Sequence, residues 1–97
     1  MIIHAKEETF EELVKDELVL VDFFANWCGP CKVLGPVLEQ LTDVKIVKVD
    51  VDECENLASK LNVMGVPTLM IYRSGKLISR HTGFLPLDDL KKWISEN

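Results

Sequence analysis

Cys28 and Cys31 are the residues of this chain best suited to do chemistry, and their setting narrows what that chemistry is. They lie in Trp27-Cys28-Gly29-Pro30-Cys31-Lys32, after an apolar run from Leu18 to Ala25 that reads as a buried strand. Val33, Leu34, Val37, Leu38 and Leu41 follow at spacings that share one helix face. Two thiols in a C-x-x-C spacing, where a strand hands over to a helix, read as a thiol–disulfide redox site. Side chains at i and i+3 of a helical turn lie about 5–6 Å apart at Cβ, and a disulfide needs Cα atoms roughly 4.4–6.8 Å apart. The pair can therefore close into a ring with little backbone movement. Cys28 falls in the N-cap region, where unpaired N–H groups and the positive end of the helix dipole favour a thiolate. Pro30 suits the first helical turn, where its missing N–H has no intrahelical partner to serve. The spacing predicts an exposed Cys28 and an inner Cys31.

The competing readings of the two thiols are a pair of small buried hydrophobes or half of a zinc site. A structural zinc site wants a full tetrahedral set of ligands, and beyond the pair the chain offers only Cys54, His4 and His81, none at ligand spacing. Three cysteines is an odd count, which argues against a disulfide framework. Redox chemistry is the favoured reading.

The elements that must position the thiols can be read outward from them. Leu18–Phe24 is expected to be the central strand, apolar on both faces as a strand covered by helices should be, with Asp22 as its one charged residue. Before it come a short edge strand, Ile2-Ile3-His4, and a helix opened by a capping box, with Thr9 as N-cap and Glu12 completing it. After it come a helix from about Cys31 to Thr42, kinked at Pro36, a strand Lys45–Val51 and a short helix Glu53–Leu61. A strand Leu69–Tyr72 turns at Ser74-Gly75 into an alternating strand Lys76–Thr82, with Leu77, Ser79 and His81 on one face. Leu87, Leu90, Trp93 and Ile94 mark a last amphipathic helix. Strands alternating with helices imply a mostly parallel sheet covered on both faces, and the hairpin makes it mixed.

The bulk numbers exclude some functions. Ninety-seven residues suggest one domain, 1–97, with a core of its own. A net charge of −5 with no basic patch argues against nucleic acid as the main partner. No apolar run approaches the about 18 residues of a membrane span. The start, from Met1, shows no basic segment followed by a long apolar stretch, so a cytoplasmic protein is expected. There a C-x-x-C is more often catalytic or metal-binding than structural. A monomer is the default.

The chain resembles the thioredoxin family over nearly its whole length. The residues that carry the resemblance are Val21-Asp22-Phe23, Trp27-Cys28-Gly29-Pro30-Cys31-Lys32, Pro36, Lys48, Asp50, Gly65-Val66-Pro67-Thr68, Gly75 and Gly83. The resemblance implies the thioredoxin fold, an α/β architecture with a five-stranded mixed sheet flanked by four helices. It implies reduction of protein disulfides, with Cys28 as nucleophile, Cys31 as resolving thiol and Gly29-Pro30 between them. It implies that Asp22 exchanges a proton with Cys31, that Lys48 moderates Asp22, and that Pro67 is a cis-proline. Trp27, Gly65, Val66, Pro67 and Gly83 would dock an extended substrate segment, with Val51 and Phe84 beside them. The partners it implies are disulfide-containing target proteins and a thioredoxin reductase; it implies no metal and no bound organic cofactor. Phe24 and Asn26 depart from the family's commoner residues, and Cys54 is an additional thiol outside the motif, for which a regulatory role is disfavoured by the neighbouring Asp52, Glu53 and Glu55. The alternatives to a reductase are an oxidase or isomerase on the same fold, against which Gly29-Pro30 speaks, and an interaction module without redox turnover.

Overall fold

The computed structural model describes all residues from Met1 to Asn97. Its elements in chain order are β1 (Ile2–His4), α1 (Phe10–Leu13), β2 (Val19–Phe24), α2 (Gly29–Glu39), β3 (Lys45–Asp50), α3 (Glu55–Lys60), β4 (Thr68–Arg73), β5 (Lys76–Thr82) and α4 (Leu87–Ser95). The strands form one sheet in the order β1-β3-β2-β4-β5. β1 and β2 each run parallel to β3, while β4 runs antiparallel to β2 and β5 to β4. The expected mixed five-stranded sheet with four helices is the one observed, and β2 is its central strand.

Residues Val19 to Phe23 of β2 are wholly buried. Successive side chains of a strand point to opposite faces, and the core divides accordingly. Val19, Val21 and Phe23 pack with Phe10 and Val14 from the α1 side and with Leu57 of α3. Leu20 packs with Leu34 and Leu38 of α2 and with Leu90 and Ile94 of α4. Each such aliphatic or aromatic burial is worth about 1.5–3 kcal/mol relative to exposure, so β2 is held from both sides. Asp22 and Phe24 share the Leu20 face, which is the face α2 covers.

Several local expectations are corrected. The capping box does not form, because the Thr9 hydroxyl is already engaged one turn back. It accepts from the Lys6 N–H at 2.9 Å, and α1 starts with no side-chain cap. α2 begins earlier and ends earlier than the periodicity suggested. Cys28 is extended, with ψ at 115°, and serves as N-cap, so Gly29 is the first helical residue. At the other end Gln40 and Leu41 donate to Val37 and Leu38, three residues back, so the chain tightens out of the helix at Glu39. Pro36 lies within α2 and leaves the Lys32 carbonyl without its usual donor. In β5, a register shift between Ile71 and Tyr72 pairs Leu77 with Tyr72 but Ser79 with Ile71 and His81 with Leu69. Tyr72 belongs to one half of the core, Ile71 and Leu69 to the other, so the shift parts Leu77 from Ser79 and His81. The hairpin itself is as expected, with positive φ at both Ser74 (51°) and Gly75 (86°), the pairing that a two-residue turn between twisted strands requires.

Candidate active site

The end of β2 and the start of α2 bring the two thiols together. Cys28 and Cys31 form a disulfide with Cα atoms 5.3 Å apart. The Cys31 N–H donates to Cys28 Sγ at 3.2 Å, so the sulfur sits where an N-cap oxygen would and faces the unpaired donors of the first turn. Pro30 takes the second helical position, where no donor is lost. One expectation fails here. Cys28 is no more exposed than Cys31, at 4% and 5%. Both pack with Ala25, under Phe24, Val51 and Val66. The bonded pair is a shallow inlay in the surface.

Asp22 has no exposed surface, and neither carboxylate oxygen has a hydrogen-bond partner. Its nearest charge is Lys48 on β3, its register partner, whose Nζ stands 3.7 Å from Oδ2. Burial raises the Asp22 pKa to about 6 from an ordinary 3.8, and the Lys48 charge restrains the rise. A carboxyl poised there can give or take a proton near neutrality. Asp22 lies on the sheet face that α2, the helix whose first turn holds Cys31, covers.

In front of the disulfide lie residues from three separate segments. The Val66–Pro67 peptide bond is cis. The Val66 carbonyl oxygen lies 3.6 Å from Cys28 Sγ, and neither the N–H nor the C=O of Val66 enters a backbone hydrogen bond of the chain. The Pro67 carbonyl is occupied, accepting from the Gly83 N–H at 2.8 Å. Gly83 has φ at 109°, which side-chain-bearing residues rarely adopt. Trp27 is 70% exposed and Met64 92%. With Val51, Val63, Gly65 and Val66 they line an apolar hollow of about 180 Å³ beside Cys28. Larger hollows of about 310 Å³ lie between α1 and α3 and between the Gln40–Val44 turn and α4, and no cysteine lines either.

The sequence alone did not show what fixes these segments. The Trp27 indole N–H donates to Asp52 at 2.9 Å. The buried Thr68 hydroxyl donates to the Gly65 carbonyl at 2.6 Å. Arg80 of β5 donates to the carbonyls of Leu61 and Asn62 at 2.7 and 3.0 Å, closing the end of α3. The only available signals were an aspartate after a strand, a threonine after a proline and an arginine on an edge strand, all of them common. No group of histidine, cysteine, aspartate and glutamate side chains is gathered so as to hold a metal ion. Cys54 is buried at the N-cap of α3. Its burial and then the carboxylates of Glu7, Glu53, Asp50 and Glu8 push its thiol pKa up.

Comparison with known proteins agrees with this geometry. Residues 1–96 match the family model described as Thioredoxin. The chain belongs to the thioredoxin family. It is 39% identical over 101 residues to a thioredoxin of Bacillus subtilis, covering 99% of this chain and 97% of that one. It is 42% identical to a thioredoxin of Chlamydia trachomatis over 101 residues, covering 100% and 99%. Among solved structures, a mutant thioredoxin from Halobacterium salinarum superposes with a TM-score of 0.92 at 36% identity, covering 98% of this chain and 88% of that one. A Plasmodium falciparum thioredoxin gives 0.88 at 35%, covering 99% and 98%. With family and disulfide together, the chain is a thiol–disulfide oxidoreductase of the protein-disulfide reductase type. No helix is long and apolar enough to cross a membrane.

Proposed function

We propose that the protein carries electron pairs from a thioredoxin reductase to disulfide-containing target proteins, acting as a single domain, monomeric, in the cytoplasm. The Cys28–Cys31 disulfide, seated on a helix N-terminus and faced by the free backbone of Val66, is the observation that carries this reading. The structure corresponds to the oxidised end of the cycle.

Starting from the dithiol, the Cys28 thiolate attacks one sulfur of the target disulfide. A Cys28–target bond forms, the target S–S bond breaks, and the other target sulfur leaves as a thiolate that takes a proton from solvent. The Cys31 thiol gives its proton to the Asp22 carboxylate and attacks Cys28 Sγ. The Cys28–Cys31 bond forms, the mixed disulfide breaks, and the second target thiolate leaves. Two electrons have passed to the target. Cys28 Sγ holds the N-cap position and faces the unpaired donors of the first turn, a place that favours a thiolate and so makes Cys28 the first attacker. Lys48 restrains the rise in the Asp22 pKa and so favours the carboxylate that accepts the proton. Val66 pairs with an extended target segment by strand addition, while Trp27, Gly65, Pro67 and Gly83 shape the surface on which it lies. Gly29 and Pro30 set the span between the sulfurs.

Two measurements test this. Reduction of a protein disulfide by dithiothreitol should be accelerated by the wild type and not by Cys28→Ser; equal rates would end the reading. Cys31→Ser should accumulate a covalent mixed disulfide with its targets.

A further inference from the structure

We propose that Phe24 is a positioning residue whose ring face seats the Lys48 ammonium within ion-pairing reach of Asp22. The observations are geometric. Lys48 Nζ lies 4.6 Å from the centroid of the Phe24 ring, within the roughly 6 Å at which an aromatic face attracts a cation. The same nitrogen is 3.7 Å from Asp22 Oδ2. Phe24 stands two residues beyond Asp22 on β2 and so on the same face of the sheet. On the far side, His4 meets the Phe24 ring edge-on, with centroids 6.0 Å apart and planes at 80°. His4, Lys48 and Asp22 are successive register partners across β1, β3 and β2. The ring is thus braced by the edge strand and holds the lysine over the middle of the row.

A lysine needs such a seat here. Its stem is flexible and its ammonium is a compact charge that any nearby carboxylate attracts. Besides Asp22 on β2, the charged and titratable groups beside the Phe24 ring that it meets are Asp50 on β3, His4 on β1, and Lys6 and Glu53. Those last four line a solvent-open hollow together with Phe24. Asp50 accepts from Asn26 and from the Asp52 N–H, yet its charge remains. Without the aromatic face, hydration and the carboxylates of Asp50 and Glu53 draw the ammonium outward, and the buried Asp22 loses its only close cation. With it, the ammonium pays less to leave water, because the ring face replaces part of its hydration.

The catalytic meaning of this placement rests on the proton-acceptor role proposed for Asp22; the placement itself does not. The test is a titration of the Asp22 side-chain carboxyl by carbon-13 NMR in the oxidised protein, for the wild type, Phe24→Leu, Phe24→Met, Phe24→Trp, Lys48→Met and the double variant Phe24→Leu/Lys48→Met. Loss of the cation raises the midpoint. Phe24→Leu and Phe24→Met should each move it up by roughly 0.5–1 pH unit. Phe24→Trp, which keeps an aromatic face, should leave it in place. In the Lys48→Met background, Phe24→Leu should add nothing. An unmoved or lowered midpoint in Phe24→Leu overturns the proposal, as does an equal shift with and without Lys48, which would mark a packing effect alone. The pH profile of disulfide reduction by wild type and Asp22→Asn judges the proton-acceptor role separately. Identical profiles would end that role and leave the seating of Lys48 by Phe24 standing.

Discussion

Lys48 and Asp22 face each other across neighbouring parallel strands, 3.7 Å apart, and the carboxylate has no hydrogen-bond partner. Burying a carboxylate with one cation and no donor costs more than the cation returns, which is why the Asp22 pKa is raised to about 6 despite Lys48. A stability consequence follows. Above pH 4 the unfolded chain gives up this proton while the folded one keeps it, so folding is penalised as pH rises. The penalty grows until the folded carboxyl ionises near pH 6 and is constant above. Between about 6 and the ordinary 3.8 it reaches roughly 3 kcal/mol. Asp22→Asn removes the titration. Its stability relative to the wild type should therefore rise by about that amount from pH 3.5 to pH 7.5, as read from denaturant unfolding of both oxidised proteins. A difference that does not change with pH would show that Asp22 titrates in the folded protein near the ordinary 3.8, with no rise on burial.

Met64 should matter to docking and not to stability. At 92% exposure it contributes almost nothing to the core, yet it walls the apolar hollow beside Cys28. Met64→Lys places a hydrated charge where an apolar target side chain would lie. Stability should stay within about 0.5 kcal/mol of wild type. Turnover of a protein disulfide should fall roughly 3- to 10-fold, the size of about 1 kcal/mol of lost burial, while reduction of a small soluble disulfide should be unchanged. Equal losses on both substrates would place the effect on the thiols instead.

Cys54 should be inert in the folded protein. It is 2% exposed, sits among carboxylates, and has its thiol pKa pushed up by burial. Both effects disfavour the thiolate that reacts. After reduction with dithiothreitol, an alkylating agent at pH 8 should label Cys28 within minutes and leave Cys54 unlabelled until denaturant is added, as seen by peptide mass spectrometry. Labelling of Cys54 at a rate near that of Cys28 would contradict its burial.

How much of this was legible in the residues depends on range. The C-x-x-C at a strand–helix boundary, the buried run of β2 and the Ser74-Gly75 turn are local patterns, and each was found where it was read. The residue order around Gly65–Thr68 and at Asp22 and Lys48 resembled a family closely enough to be singled out; the Val66 carbonyl does lie against Cys28, and Lys48 does face Asp22. What escaped was set by contacts that no local pattern encodes. Thr9 looks like an N-cap until Lys6 takes its hydroxyl. Leu77, Ser79 and His81 alternate perfectly until the shift opposite Ile71 and Tyr72 interrupts them. The exposure of Cys28 was inferred from its place at a helix start. In the oxidised chain, Phe24, Val51 and Val66 come from three different segments to cover it.

Thr68 links the fold to the site through one hydrogen bond. Its side chain is wholly buried at the start of β4, and its hydroxyl donates to the Gly65 carbonyl at 2.6 Å, with Thr82 Oγ1 3.5 Å away on β5. The segment Gly65-Val66-Pro67 is thereby tied back to the start of β4, with the Val66 carbonyl turned toward Cys28. Thr68→Val keeps the volume and the β-branch but removes the donor, so the Gly65 carbonyl loses its partner at a cost of about 1–3 kcal/mol. Unfolding by denaturant should show that loss. Because the thiols are untouched, the rate at which reduced Cys28 reacts with an alkylating agent should be unchanged. The rate of protein-disulfide reduction should fall, since Val66 is then held less firmly for strand addition. If alkylation slows as much as reduction, the Gly65–Thr68 bond supports the cysteines themselves and not the surface in front of them.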